Sequence, residues 1–145
     1  MEKATVERSI WIAAPRERAW RAITDPKQLE QWYATNFKWE IPALHVGATV
    51  TFYNSDTDIL HATIEVVDPL RQFRLRWAPV ERGVVLVTTF LLEEENGGTR
   101  ATITETGYES LPEDERRQWI DSTAAGYAMS MENLKAYVEG RPIPH

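Results

Sequence analysis

The end of the sequence constrains everything before it. Ile120, Ala124, Tyr127, Met131, Leu134 and Val138 recur at alternating steps of four and three, which gathers them into one apolar stripe on a long helix. Ser110-Leu111-Pro112-Glu113 has the serine and glutamate spacing of a capping box, and Asp114 and Glu115 suit the positive end of the helix dipole. Gly140 and Pro142 supply the stop. One helix cannot hide such a stripe against itself, so the preceding residues must cover it.

Those residues read mostly as strands. Val6, Ile10 and Ile12 share one parity between Ala4 and Ile12, broken at Arg8. Val50 and Phe52 share a face between Thr49 and Asn54, and Leu60, Ala62, Ile64 and Val66 share another opposite His61, Thr63 and Glu65. Asp68-Pro69 marks a turn, after which Phe73, Leu75 and Trp77 alternate with Gln72, Arg74 and Arg76. Two further runs, Val84 to Glu93 and Thr99 to Thr106, flank Asn96-Gly97-Gly98, a composition suited to a hairpin. Short turns between neighbours predict an antiparallel sheet. Near the start, Ala14-Pro15 opens a short helix through Ala19, Trp20 and Ile23 that must end before Pro26. Asp25, with Gln28 reaching back to it, opens a second one carrying Leu29 and Trp32. The predicted architecture is an α+β domain spanning residues 1–145, a curved antiparallel sheet wrapped around the C-terminal helix.

Composition narrows the function. The 145 residues carry 22 acidic and 16 basic side chains, a net charge of −6, which argues against a nucleic-acid or anionic-membrane partner. There is no cysteine, so disulfides, thiolate metal sites and cysteine nucleophiles are absent and a reducing, cytoplasmic location is expected. No apolar run approaches the ~20 residues of a membrane span, and the Met1-Glu2-Lys3-Ala4-Thr5 start is too polar for a secretory signal. His45, His61 and His145 are scattered and complete no nucleophile, base and acid set. Asn54-Ser55-Asp56-Thr57-Asp58 lacks the glycine and the distal glutamate of a calcium loop and reads as a hairpin tip. Neither metal nor cofactor is expected. Six tryptophans must be buried, face a ligand, or mark an interface.

Five blocks, in order, carry a resemblance. Ile10-Trp11-Ile12-Ala13-Ala14-Pro15 leads into Ala19-Trp20-Arg21-Ala22-Ile23-Thr24-Asp25-Pro26 and Leu29-Glu30-Gln31-Trp32; then follow Val46-Gly47, Val66-Val67-Asp68-Pro69 with Trp77, Gly97-Gly98-Thr99-Arg100 with Gly107-Tyr108, and Gly126-Tyr127 leading to Glu139-Gly140. Together they resemble the helix-grip domains related to START and the birch-pollen allergen, the SRPBCC superfamily. Among these the chain is most similar to bacterial single-domain homologues of the heat-shock-protein-90 ATPase activator. It departs where relatives often have Trp and Leu and this chain has Tyr127 and Met131, and where Ala48 replaces a second glycine. The resemblance implies a cavity between sheet and helix for a hydrophobic molecule, and it leaves a chaperone partner as an alternative. Chaperone-activating relatives carry an additional N-terminal domain for which these 145 residues leave no room. Trp11, on the outward parity of its strand, is the candidate contact for a protein partner.

The inward parities nominate the cavity wall: Phe52, Ile64, Leu75, Trp77, Leu86, Phe90 and Ile103 from the strands, and Tyr127 and Met131 from the helix. Trp32, Tyr33 and Phe37 form the expected mouth, with Trp119 at the other lip. Taken singly, each of these side chains is more readily plain core, and it is the excess of aromatic rings that marks the group as a lining. Glu105 follows Ala101 and Ile103 on the inward parity, which aims a carboxylate toward the cavity, yet its place near the strand's end favours a rim position. Asn54 shares that ambiguity. With no catalytic set, the expected function is non-covalent binding of a lipid-like or polycyclic aromatic molecule. A cyclase or lyase using Glu105 as acid or base, with Tyr127 positioning substrate, is a further alternative.

Overall fold

The computed structural model describes residues 4–33 and 37–145. Met1, Glu2 and Lys3, part of the polar start noted above, lie outside them. Seven strands form one antiparallel sheet: β1 (Thr5–Ile12), β2 (Lys38–Glu40), β3 (Thr49–Tyr53), β4 (Ile59–Asp68), β5 (Gln72–Trp77), β6 (Val87–Glu95) and β7 (Gly98–Thr106). Their order is β1-β7-β6-β5-β4-β3-β2, so every neighbour except the β1–β7 pair is also a neighbour in sequence. Helices α1 (Arg16–Thr24) and α2 (Pro26–Trp32) follow β1, and the long α3 (Glu113–Glu139) closes the fold against β1. This is the α+β helix-grip arrangement that the sequence predicts.

The apolar stripe of α3 is the seam. Ala124, Tyr127, Met131, Leu134 and Val138 are all buried, with Ile120 half-buried at its N-terminal end. Facing them are Val6, Ile12, Phe90, Leu92, Ala101 and Ile103 from the sheet and Trp20, Ile23, Leu29 and Trp32 from the short helices, in one continuous core. Asn96 and Gly97 both adopt positive φ, 48° and 76°, between paired Glu95 and Gly98. A two-residue turn with both φ positive matches the sheet's twist, which is why Asn-Gly stands there.

Four sequence expectations shift. The predicted capping box is not formed: Ser110 lies in a 3₁₀ turn, Leu111 is extended, and α3 begins at Glu113 after Pro112 with no side-chain cap. Proline at 112 disfavours helical backbone at Leu111, so a helix cannot start there. At α2 the Asp25 carboxylate caps Lys27 N–H, but Gln28 donates to that same carboxylate instead of accepting from the Asp25 N–H, which closes α1 onto the Arg21 carbonyl. In β4 a bulge between Ile64 and Val66 reverses the parity, so Val66 faces Arg74 and Val67 faces buried Phe73. Val67 therefore packs on the core in place of Val66. Finally, β6 begins at Val87 because a 3₁₀ turn at Glu81–Gly83 occupies the approach, and β2 adds an unforeseen edge strand.

Candidate functional site

The sheet and α3 part over the middle of the helix. There a cleft of about 320 Å³, open to solvent on one side, is lined by Tyr33, Phe52, Leu60, Trp77, Val80, Leu86, Glu105, Thr123, Gly126, Tyr127 and Ser130. Phe52, Glu105 and Tyr127 are buried and form its floor, while the other side chains are partly exposed and form its walls and mouth. Such a volume lies near the lower end of small-molecule sites. It is about twice the ~150 Å³ that holds one benzene ring, which suits two fused rings.

Six nominated residues meet at this cleft: Tyr33, Phe52, Trp77, Leu86, Glu105 and Tyr127. Six others lie behind it in the core: Trp32, Ile64, Leu75, Phe90, Ile103 and Met131, none more than 4% exposed. Trp32 is fixed there by its indole N–H on the Ala22 carbonyl. Phe37 packs edge-on against the far side of Phe52, and Trp119 is half-buried against the core outside the cleft. Asn54 stands away from it, bonded to Asp58 in the β3–β4 hairpin tip.

The lining holds residues that periodicity passed over. Thr123, Gly126 and Ser130 flank the α3 stripe at helical spacing, and their small size leaves the gap. A Cβ on Gly126 would meet nothing within 4 Å. Glycine inside a helix costs about 1 kcal/mol relative to alanine, so an uncrowded glycine at mid-helix was the available signal. Leu60 was on the inward face of β4, and Val80 is in an irregular connection where no period applies.

Glu105 is the principal correction. It is 5% exposed, not a rim residue. Its Oε2 accepts from Thr88 Oγ1 at 2.7 Å and from the Tyr127 hydroxyl at 2.6 Å, and its Oε1 accepts from the Tyr108 hydroxyl at 2.5 Å. Thr88 in turn accepts from the Trp77 indole N–H at 3.0 Å, so a cleft-lining ring is wired to the carboxylate. Burial, then the Glu105 charge, raises the Tyr33 and Tyr108 hydroxyls above the usual tyrosine value. Tyr127 is raised too, by burial first and then by Tyr33 and Glu105. All three therefore stay protonated donors at neutral pH. Beside this carboxylate Tyr33, Trp39, Phe52 and Trp77 form a continuous aromatic array, with centroids 5.2 Å apart for Tyr33–Trp39, 4.5 Å for Trp39–Phe52 and 6.1 Å for Trp39–Trp77.

Trp11 does lie outward, as its parity predicts. It is half-buried on the outer face, donating its indole N–H to the Glu95 carbonyl at 2.7 Å, with the Lys135 ammonium 5.1 Å from its ring centroid. Among the described residues no helix is long and apolar enough to cross a membrane.

No curated protein matches the sequence. Among solved structures, protein MLL2253 from Mesorhizobium loti superposes with a TM-score of 0.80 at 22% identity, covering 95% of this chain and 98% of its own. DynU16, a protein of the dynemicin biosynthetic locus, gives 0.80 at 22% identity over 99% of this chain, which spans about half (51%) of DynU16. The Aha1 dimer from Colwellia psychrerythraea gives 0.74 at 17% identity, covering 93% and 96%. These likenesses establish the fold. The family described as activator of Hsp90 ATPase homolog 1-like protein matches residues 13–139, and with that span of the fold accounted for, the chain belongs to this family.

Proposed function

We propose that this protein binds a small hydrophobic ring compound, without covalent chemistry, in the cleft between α3 and the concave face of the sheet. The observation that carries this reading is Gly126. A helix buried along its inner stripe omits a side chain beside that stripe, at the point where an added Cβ would enter open space, and the omission forgoes about 1 kcal/mol of helix stability. That sacrifice makes sense if the space must stay open. Tyr33, Phe52, Trp77 and Leu86 supply apolar surface, and Glu105 with the Tyr127 hydroxyl supplies a polar floor. At about 320 Å³, the occupant is nearer two fused rings than a long lipid chain.

Met131, one of the residues expected on the cavity wall, is 2% exposed and packed in the core, so the blocking substitution belongs at Gly126. Gly126→Leu fills the cleft from the helix side and leaves the core untouched. Calorimetric titration with 1-naphthylmethanol should show saturable binding to the wild type and a loss of about ten-fold or more in the variant, with unfolding temperature unchanged or raised. Equal affinity for both proteins would place the binding elsewhere. Native mass spectrometry of the protein from its own host then identifies the natural occupant as an extra mass that leaves on denaturation. For a chaperone contact, Trp11 offers little purchase, since its indole N–H and ring face are already engaged within the chain.

A further inference from the structure

The ligand-binding reading leaves the charge of the ligand open, and the cleft itself bears on it. Among the described residues that line it, Glu105 is the sole charged group. A buried carboxylate usually has a Lys or Arg partner or a metal. Here the three bonds to it all come from hydroxyls, Thr88, Tyr108 and Tyr127, and no ion pair to it is formed by Lys, Arg or His among the described residues. Arg82, in the turn after Val80, is engaged by Glu115 on α3. Arg116 donates to the Leu111 carbonyl. The hydroxyls hydrogen-bond the carboxylate but bring no positive charge to it. They fill three of the roughly four acceptor positions of a carboxylate, and the remaining one is on Oε1, which accepts only Tyr108.

The walls add a second, independent preference. Tyr33, Phe52 and Trp77 line the cleft with aromatic rings, backed by Trp39. The faces of such rings carry negative electrostatic potential and attract organic cations. An anionic ligand would meet a carboxylate floor with no basic side chain among the described residues of the walls, and a neutral one would gain burial and at most a hydrogen bond from an uncharged donor to Glu105.

Resting on the proposed ligand-binding role of this cleft, we infer that its occupant is an organic cation: a protonated amine carried on one or two rings, with its ammonium directed at Glu105 and its rings against Tyr33, Phe52 and Trp77. The ligand brings the counter-charge that the described residues do not provide.

Three probes of one shape and different charge test this. 1-Naphthylmethylamine, 1-naphthylmethanol and 1-naphthoic acid are titrated calorimetrically at pH 7 into the wild type, Glu105→Gln and Trp77→Leu. The amine should bind about ten-fold or more tighter than the alcohol, and the acid weakest. In Glu105→Gln the preference for the amine should shrink to about two-fold or less, and Trp77→Leu should weaken the amine more than the alcohol. The wild-type ranking stands by itself if Glu105→Gln fails to fold. Amine and alcohol binding equally well, or the acid binding best, overturns the cation inference and leaves the hydrophobic cleft intact. Failure of all three probes to bind overturns the ligand-binding reading and this inference with it.

Discussion

Glu105 shows how a carboxylate can be buried with hydroxyls, and no basic side chain among the described residues, as its partners. Strand alternation turns it inward, and three hydroxyls from β6, the turn after β7 and the middle of α3 converge on it. The convergence has a consequence at high pH. Unfolded tyrosines lose their proton near the ordinary value of 10.0, whereas Tyr33, Tyr108 and Tyr127 are held above it by burial and neighbouring charge. The folded state thus keeps protons that the unfolded state releases. Their contribution to stability is complete below about pH 10 and drains away as pH rises above it. Of the five tyrosines, Tyr53, raised mainly by its hydrogen bond to Glu40, and Tyr137, raised mainly by burial, lie outside this cluster and should titrate first. The phenolate absorbance should therefore rise in two stages, the second coinciding with loss of circular dichroism. A single stage completed while the protein is still folded would show that the cluster is open to solvent.

Between elements, the turn after β7 does the positioning. Gly107 holds φ at 116°, and a Cβ there would lie 2.0 Å from the Val85 carbonyl oxygen. Only glycine lets the chain reverse so closely that Tyr108, three residues past Glu105, brings its hydroxyl back to that carboxylate. Gly107→Ala should cost about 2 kcal/mol or more in urea unfolding. Gly97→Ala, also at positive φ but with open space around the new Cβ, should cost about 1 kcal/mol. Equal costs would mean that backbone strain alone, and not the close approach to Val85, fixes the residue. The same elements show what a sequence can disclose. Period-two and period-3.6 patterns located six of the seven strands and the long helix, because those periods follow from which face is buried. The capping box at Ser110 and the inward Val66 were misread because a local signal was overruled, by Pro112 in one case and by the β4 bulge in the other. No period announces either event.

At the scale of the whole molecule, the core was more legible than the cleft. Large apolar side chains on inward parities are core by default, so Trp32, Ile64, Leu75, Phe90, Ile103 and Met131 were named for the wall and packed behind it. The open space is defined instead by what is small, Thr123, Gly126 and Ser130, and by Val80 outside any regular element. Holding the cleft open requires α3 to be anchored at its far end, and Glu139 does so. Its carboxylate accepts the Ala13 N–H at 2.8 Å, at the junction of β1 and α1, and also engages Lys135 and Arg141. Lys135 in turn reaches the Trp11 carbonyl at 2.7 Å. Burial would raise this carboxyl, but the Ala13 N–H and the two cations outweigh it and lower it from 4.5 to about 2. A carboxyl with a depressed folded value contributes stability above its unfolded value and loses that contribution as pH falls. Urea midpoints should therefore decline between about pH 4.5 and pH 2 as Glu139 takes up its proton. Glu139→Gln should lower the midpoint at pH 7 and flatten that acid limb, since the amide keeps an acceptor for Ala13 but no charge for Lys135 and Arg141. An acid limb equally steep in the variant would assign it to other carboxylates and remove Glu139 as the clamp between the helix end and the first strand.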